Sequence, residues 1–256
     1  MRTLVILAGG YGTRLREVEP ELPKGLVDLG GKTVLDIYAE NFDFFDEVYI
    51  STNPKFEKYY GKWARGRAEV IVKPEYGEEI SGNLETVLFS IETIGEREGY
   101  FFMPNDSYLD PARKFFEEFI REVERGYSPV IAVKKVRRKC IKGRFGNPVV
   151  EGGKVLRFVE KPETPVSDYA FMSSFYLPGR IGKKNTGALI KEFLDAHPHF
   201  RDSIGGFIQH LIDLGIDVRA YEYTGYWRDI GVPEDLEEVR RREKWLSRFR
   251  CSVRER

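Results

Sequence analysis

Glutamine occurs once in these 256 residues, at Gln209; histidine occurs three times and cysteine twice. Cys140 and Cys251 lie far apart, and neither has a partner at metal-ligand spacing. This excludes a disulfide framework and a zinc cluster, and it points to a reducing, cytoplasmic compartment. His197 and His199 flank Pro198 with no matching Cys/His cluster, which reads as a helix-end loop rather than a ligand pair. No apolar run approaches the roughly 20 residues of a membrane span, so no membrane partner is expected. The opening "MRTLVILAGG" is too short in its apolar part for a secretion signal and reads as a buried first strand. Net charge is also missing: 41 basic residues meet 41 acidic ones. A general polyanion surface is therefore excluded, and no nucleic-acid partner is expected. "KKVRRK" (134–139) reads as a solvated strand edge. The lone glutamine among abundant Glu, Lys and Arg matches a thermophilic composition.

What remains is a globular chain, 41% hydrophobic and 32% charged, long enough for one sizeable α/β domain. Strand-like runs occupy 3–8, 47–52, 68–73, 100–104 and 129–135. They alternate with helical patterns at 32–42, 83–95 and 111–126. In the last of these Phe115, Phe116, Phe119 and Val123 recur at helical spacing. Alternating strands and helices predict a three-layer α/β fold, with a mostly parallel central sheet covered on both faces. After residue 136 the texture becomes β-rich. A hairpin turns at Gly152-Gly153 within 147–162, and a strand runs over 168–179. Helices are expected near 186–196 and 204–214, a late strand at 218–224, and a charged terminal helix at 233–249. That helix is a solvated face or a subunit contact, which leaves room for a homo-oligomer.

The chemistry starts at "LAGGYGTRLREVEPELPKG" (7–25). Gly9, Gly10 and Gly12 let backbone N–H groups approach phosphates. Arg14 offers a planar fork for phosphate oxygens, and Pro23 stiffens the chain before the compact charge of Lys24. A dinucleotide loop would need a third glycine where Leu15 stands. A P-loop would need a glycine where "GLVDLGGKT" (25–33) has Leu26, so Gly30-Gly31 reads as a turn before a helix that Lys32-Thr33 begin. Asp106 follows the apolar run "YFFMP", just beyond a strand's carboxyl end, where open α/β sheets bind ligands. Taken alone, Asp106 fits a turn-forming residue in "NDS" equally well, and Asp229 fits a loop acid before Gly231.

The N-terminal run, with "ELPKGLVDLGGKTVLD", resembles the signature of the sugar-1-phosphate nucleotidyltransferases. "FFMPNDSYL" (101–109), "RFGNPVVEGGKVLRFVEKP" (144–162) and "YWRDIGVPEDLEEV" (226–239) extend the likeness along the chain in the same order. The resemblance implies a nucleotide-diphospho-sugar transferase-like fold. A nucleotide-binding half would occupy about 1–135, a smaller β-rich sugar-phosphate half about 136–232, and a helix and tail 233–256. It implies transfer of a nucleotidyl group from an NTP to a sugar 1-phosphate, with Mg²⁺ held between Asp106 and Asp229. Leu7, Ala8, Gly9, Gly10, Gly12, Thr13, Gly82, Asn83 and Asp106 would bind the nucleotide. Arg14, Lys24 and Lys161 would act in catalysis. Lys161 would also bind the sugar phosphate, Glu160 the sugar hydroxyls, and Gly146 would let the sugar lie against the backbone. Strand alternation would send Glu160 and Lys161 to opposite faces unless the strand ends there, as Pro162 suggests.

The chain also departs from the family pattern. Gly25 stands where proline is common after the loop lysine. "SGNLETV" names no base, and Met172-Ser173-Ser174 replaces a run that usually carries a sugar-contacting amide. Two alternatives follow: cytidylyl transfer to an inositol or other polyol phosphate, and a non-catalytic sugar-nucleotide sensor.

Overall fold

A computed structural model describes residues 1–12, 15, 21–74 and 82–253, the side chains of 247–253 excepted. Thr13 and Arg14 lie outside the described residues. The strands are β1 (Thr3–Leu7), β2 (Glu47–Thr52), β3 (Glu69–Val72), β4 (Gly99–Pro104), β5 (Ser107–Asp110), β6 (Val130–Lys135), β7 (Asn147–Glu151), β8 (Lys154–Val159), β9 (Tyr169–Pro178), β10 (Arg180–Ile181), β11 (Lys184–Asn185), β12 (Arg219–Glu222) and β13 (Tyr226–Asp229). The helices are α1 (Val34–Ala39), α2 (Glu57–Trp63), α3 (Asn83–Ile94), α4 (Ala112–Glu124), α5 (Thr186–Ala196), α6 (Ile204–Asp213) and α7 (Pro233–Val253).

The main sheet has nine strands in the order β3-β2-β1-β4-β9-β6-β12-β8-β7. The strands β3, β2, β1 and β4 run parallel, as do β6 and β12, while β9 and β8 run against their neighbours. The sheet is thus mixed but mostly parallel. Alternation along the buried strands fills a core on each face. Leu4, Ile6, Phe101, Met103, Val130 and Ala132 point to one face, where α1 and α4 cover them. Val5, Tyr100, Phe102, Ile131 and Val133 point to the other, beneath α3, α5 and α6. The three-layer reading therefore holds.

Local chemistry moves some boundaries. The helix expected over 32–42 spans Val34–Ala39, because Thr33 caps it rather than joining it. Asp36 N–H donates to Thr33 Oγ1 at 3.1 Å, and Thr33 N–H donates to Asp36 Oδ2 at 2.9 Å. The hairpin turns at Gly152 (φ 57°) and Gly153 (φ 78°), a pair of left-handed residues that suits the twist of the flanking strands. "KKVRRK" leaves the sheet at Lys135 and becomes a short 3-10 turn at Arg138–Cys140. The sequence did not announce α2, β5 or β13. The last two pair only with each other, as a separate ribbon, and that ribbon governs the site.

Candidate active site

The glycine loop leaves the carboxyl end of β1 and is tied to the end of β2. Ala8 N–H donates to Ser51 O (2.8 Å), Thr52 Oγ1 donates to Ala8 O (3.1 Å), and Asn53 Nδ2 donates to Gly9 O (2.8 Å). The loop's carbonyls are therefore anchored on the protein side. At Gly10 an added Cβ would meet no atom of the described residues within 4 Å, so these leave the backbone room for a ligand. Gly12 has φ +62°, and an added Cβ there would lie 3.2 Å from Lys24 Cγ. Glycine thus supplies the left-handed turn and also lets the lysine stem cross the loop.

Lys24 opens a 3-10 turn after an extended Pro23. Its Nζ donates to Asp106 Oδ2 at 2.8 Å. The lysine read as a phosphate ligand and the aspartate read as a metal ligand are thus ion-paired, and "NDS" is more than a turn. The glycine after the lysine also has a local reason. A Cβ on Gly25 would come 3.0 Å from Asn105 O and 3.1 Å from Asn105 Cβ. Asn105 is held in place by its bond to Tyr60 OH, 2.7 Å.

Asp229 reaches the same place through the ribbon. It pairs with Ser107, and Ile230 N–H donates to Asp106 O at 2.8 Å. Burial pushes the Asp229 carboxyl up to about 6, with the Asp106 carboxylate adding to the shift and Lys24 and Arg144 opposing it. Arg144 Nη2 lies 3.2 Å from Asp229 Oδ2 and 2.6 Å from Asp235 Oδ2, so one guanidinium serves two acids. Two facing carboxylates with incomplete compensation suit a hard divalent cation that takes further oxygens from phosphates and water. Among the described residues no group of three or more His, Cys, Asp or Glu could hold a metal alone.

These side chains enclose a cleft of about 300 Å³. Of the residues singled out in the sequence, Leu7, Gly9, Gly10, Lys24, Asn83, Asp106 and Asp229 line it. Gly12 stands beside it, through Lys24. Ala8, Gly82, Gly146, Glu160 and Lys161 are not in its lining. Gly82 lets α3 dock, since a Cβ would come 2.2 Å from Arg201 O. Gly146 makes room for Phe158, whose Cζ would be 2.4 Å from a Cβ. β8 ends at Val159, so Glu160 and Lys161 escape strand alternation, and Lys161 Nζ reaches 3.7 Å from Glu160 Oε1. Burial, opposed by Lys161, raises the Glu160 carboxyl. Glu160 packs against the first turn of α6, where a Cβ on Gly205 would meet its Oε2 at 2.2 Å. Thr86, Pro104, Asn105, Ser173, Asp202 and Ile204 also line the cleft and were not among the candidate site residues. Only Ser173 left a trace, within the Met172-Ser173-Ser174 run that departs from the family pattern.

The three histidines gather around Phe193. Its ring centroid lies 5.1 Å from that of His197 and 5.0 Å from that of His210, and His197 and His199 are 6.1 Å apart. This is an aromatic cluster around the end of α5, in keeping with the loop reading. No described helix is long and apolar enough to cross a membrane.

Comparison with known proteins shows what the whole chain is similar to. The chain is 29% identical over 244 residues to the mannose-1-phosphate guanylyltransferase catalytic subunit beta of Xenopus tropicalis, covering 91% of this chain and 62% of that protein. It is 25% identical over 246 residues to a glucose-1-phosphate thymidylyltransferase of Streptomyces antibioticus, covering 93% of this chain and 65% of that protein. The chain thus spans less than two thirds of the length of either relative. The inositol-1-phosphate CTP transferase of T. maritima shares the fold, with a TM-score of 0.70 at 18% identity over 94% of this chain and 95% of that one. The sequence model of the nucleotidyl transferase family matches residues 3–244, and the chain belongs to that family.

Proposed function

We propose that this protein transfers a nucleotidyl group from an NTP to a sugar 1-phosphate, releasing pyrophosphate and an NDP-sugar. One observation carries the reading: the glycine loop, the Lys24–Asp106 pair and the half-buried Asp229 converge on one cleft at the carboxyl end of the sheet. In this reaction a phosphate oxygen of the sugar 1-phosphate bonds to the α-phosphorus of the NTP, and the bond from that phosphorus to the β-phosphate breaks. The nucleophile is already ionised, so no general base is required. The work is to hold two anions in line and offset their charge. Gly9 and Gly10 bring backbone donors to the triphosphate, and Lys24 adds a point charge. Asn83 and Gly82, at the start of α3, stand on the nucleoside side. Glu160, Lys161 and Gly146 serve the sugar phosphate, and Arg14 joins the phosphate set. Asp106 and Asp229 would hold Mg²⁺, which supplies charge neutralisation on the triphosphate when bound. A cytoplasmic, thermophilic setting and a homo-oligomer, with α7 as a solvated face or a subunit contact, complete the reading.

Pyrophosphate release, measured with ATP, CTP, GTP, UTP and dTTP against glucose 1-phosphate, mannose 1-phosphate and inositol 1-phosphate, tests it. One NTP should turn over with at least one sugar phosphate in the presence of Mg²⁺. Turnover confined to CTP with inositol 1-phosphate would replace the sugar with a polyol. Tight NDP-sugar binding with no turnover for any pair would make the protein a sensor.

A further inference from the structure

β4 runs from Gly99 to Pro104, just before Asp106. The cleft described above opens beyond its carboxyl end. A second cavity, of about 360 Å³, opens at its amino end and shares no lining residue with the cleft. That volume falls at the lower end of the roughly 300–1,000 Å³ of small-molecule sites. Phe101, Val123 and the ring of Tyr176 give it buried apolar walls, with the Phe101 and Tyr176 ring centroids 4.8 Å apart.

Tyr176 is only 3% exposed, yet among the described residues its hydroxyl has no hydrogen-bond partner. The oxygen stands over Gly99, in the cavity wall, where an added Cβ would come 2.1 Å from it. A phenylalanine would supply the same ring without bringing a polar atom into the core, so the hydroxyl calls for a partner. Burial, with Tyr127 and Glu98 adding, pushes the phenol up to about 12, so it keeps its proton and both donates and accepts. Tyr127, at the rim, holds a left-handed backbone (φ 50°) with its ring largely exposed. Glycine would adopt that backbone freely, whereas a side chain there carries a cost. A strained aromatic residue at a cavity mouth and an unused hydroxyl in its wall both point to a ligand.

The charged rim says which ligand. Arg2 N–H donates to Asp46 Oδ2 (2.7 Å), Arg2 Nη2 to Glu124 Oε1 (2.5 Å), and the Met1 amino group to Glu98 Oε2 (2.5 Å). The second oxygen of each carboxylate accepts nothing from the described residues. Two positive groups meet three acids, so one negative charge is left over. We infer that this cavity binds a small organic ammonium ion, its N–H donors on the Tyr176 hydroxyl and the spare carboxylate oxygens, its hydrocarbon part against Phe101 and Val123. The faces of Tyr176 and Tyr127 add attraction for the charge. An anion would meet three carboxylates, and a wholly apolar ligand would leave the hydroxyl unpaired. The site is independent of the reaction proposed for the cleft.

The test titrates the full chain with 1,4-diaminobutane, using 1,4-butanediol as the neutral match and sodium chloride at equal ionic strength as the salt control. In wild type the diamine should shift the backbone amide signals of Gly99, Val123 and Tyr127 in a saturable way and leave those of Gly9 and Gly10 in place. It should also raise the melting point, as any ligand of the folded state does. Tyr176→Phe keeps the ring and should weaken the diamine Kd roughly 5–10-fold, the loss of one hydrogen bond. Glu98→Gln, at an exposed position, should weaken it by a similar factor and serves as the second variant. Amide shifts that are absent, that butanediol or salt reproduces, or that fall on the cleft glycines instead would overturn the inference. So would a wild-type Kd in either variant. Each of these outcomes leaves the nucleotidyl-transfer reading standing, because none of them involves turnover.

Discussion

Lys24 carries two duties that oppose each other in a stability argument. Its ammonium offsets Asp106 at 2.8 Å in the free protein, and the same charge must serve an incoming triphosphate. The sequence suggested a cationic loop that serves phosphates; the ion pair makes Lys24 serve the fold as well. Lys24→Ala should cost about 1–2 kcal/mol of stability by leaving a half-buried carboxylate unpaired. It should also cost roughly two to three decades in turnover. Paired melting and initial-rate measurements separate the two losses, and wild-type turnover in this variant would make the loop a mere turn. Asp229 shows the reverse balance. Its carboxyl keeps a proton up to about pH 6 when folded, but only to about 3.9 when unfolded. The folded state therefore loses stability as pH rises between those values, and the whole deficit persists above pH 6. Asparagine carries no such deficit. Asp229→Asn should abolish most turnover yet raise stability at pH 8 by about 1–2 kcal/mol, with little difference at pH 4. Melting curves at both pH values check this. A lower melting point at pH 8 would show that the bond from Arg144 outweighs burial.

The elements that were easiest to read in the sequence are long and periodic. Phe115, Phe116, Phe119 and Val123 announced α4, and Gly152-Gly153 announced the β7–β8 hairpin. The elements that build the site are short. α2 is seven residues with Gly61 inside it, and β5 and β13 are four residues each. Too few positions repeat for a period to emerge, and the partner of "SYLD" is "YWRD", near the far end of the chain. The residue types of the site were legible; their meeting depends on that pairing, which no local pattern shows and only the resemblance to the family implied. The left-handed backbone of Ser173 was hidden, because its stretch reads as an ordinary strand. α7 fixes the ribbon from behind. Arg242 donates to Asp110 (Nη2, 2.5 Å), Tyr226 OH donates to Glu238 Oε1 (2.6 Å), Arg228 donates to Glu238, and Tyr108 OH donates to Glu243. Glu243 is 6% exposed, with Lys32 Nζ at 3.7 Å. Glu243→Ala should strand a buried hydroxyl and a lysine, costing on the order of 2–4 kcal/mol. Chemical denaturation should show a lower midpoint with an unchanged slope. Turnover of the folded fraction at 25 °C should survive. An unshifted midpoint would mean that α7 rests on the ribbon without holding it.

At the scale of the whole chain, the sheet order is what makes a single site from distant segments. β1 and β4 are neighbours, so the glycine loop and Asp106 leave the same edge. The β5–β13 ribbon then returns Asp229 to that edge after the chain has built β6 to β12 elsewhere. If the two aspartates hold one ion, their losses cannot be independent. Removing either carboxylate already disables the site, so Asp106→Asn/Asp229→Asn should turn over little more slowly than the worse single variant. Raising Mg²⁺ should partly restore each single variant and leave the double unmoved. Ligand binding supplies a second readout that does not need turnover. An NTP with Mg²⁺ at about 100 times its Kd should stabilise wild type by ~2.7 kcal/mol, and most of that gain should vanish in either single variant. Rates that fall multiplicatively, with unchanged Mg²⁺ dependence, would mean that the ribbon brings the two acids together for another reason: Asp229 would then serve as the anchor for Arg144 and the start of α7, and the ion would have to be sought elsewhere on the phosphates.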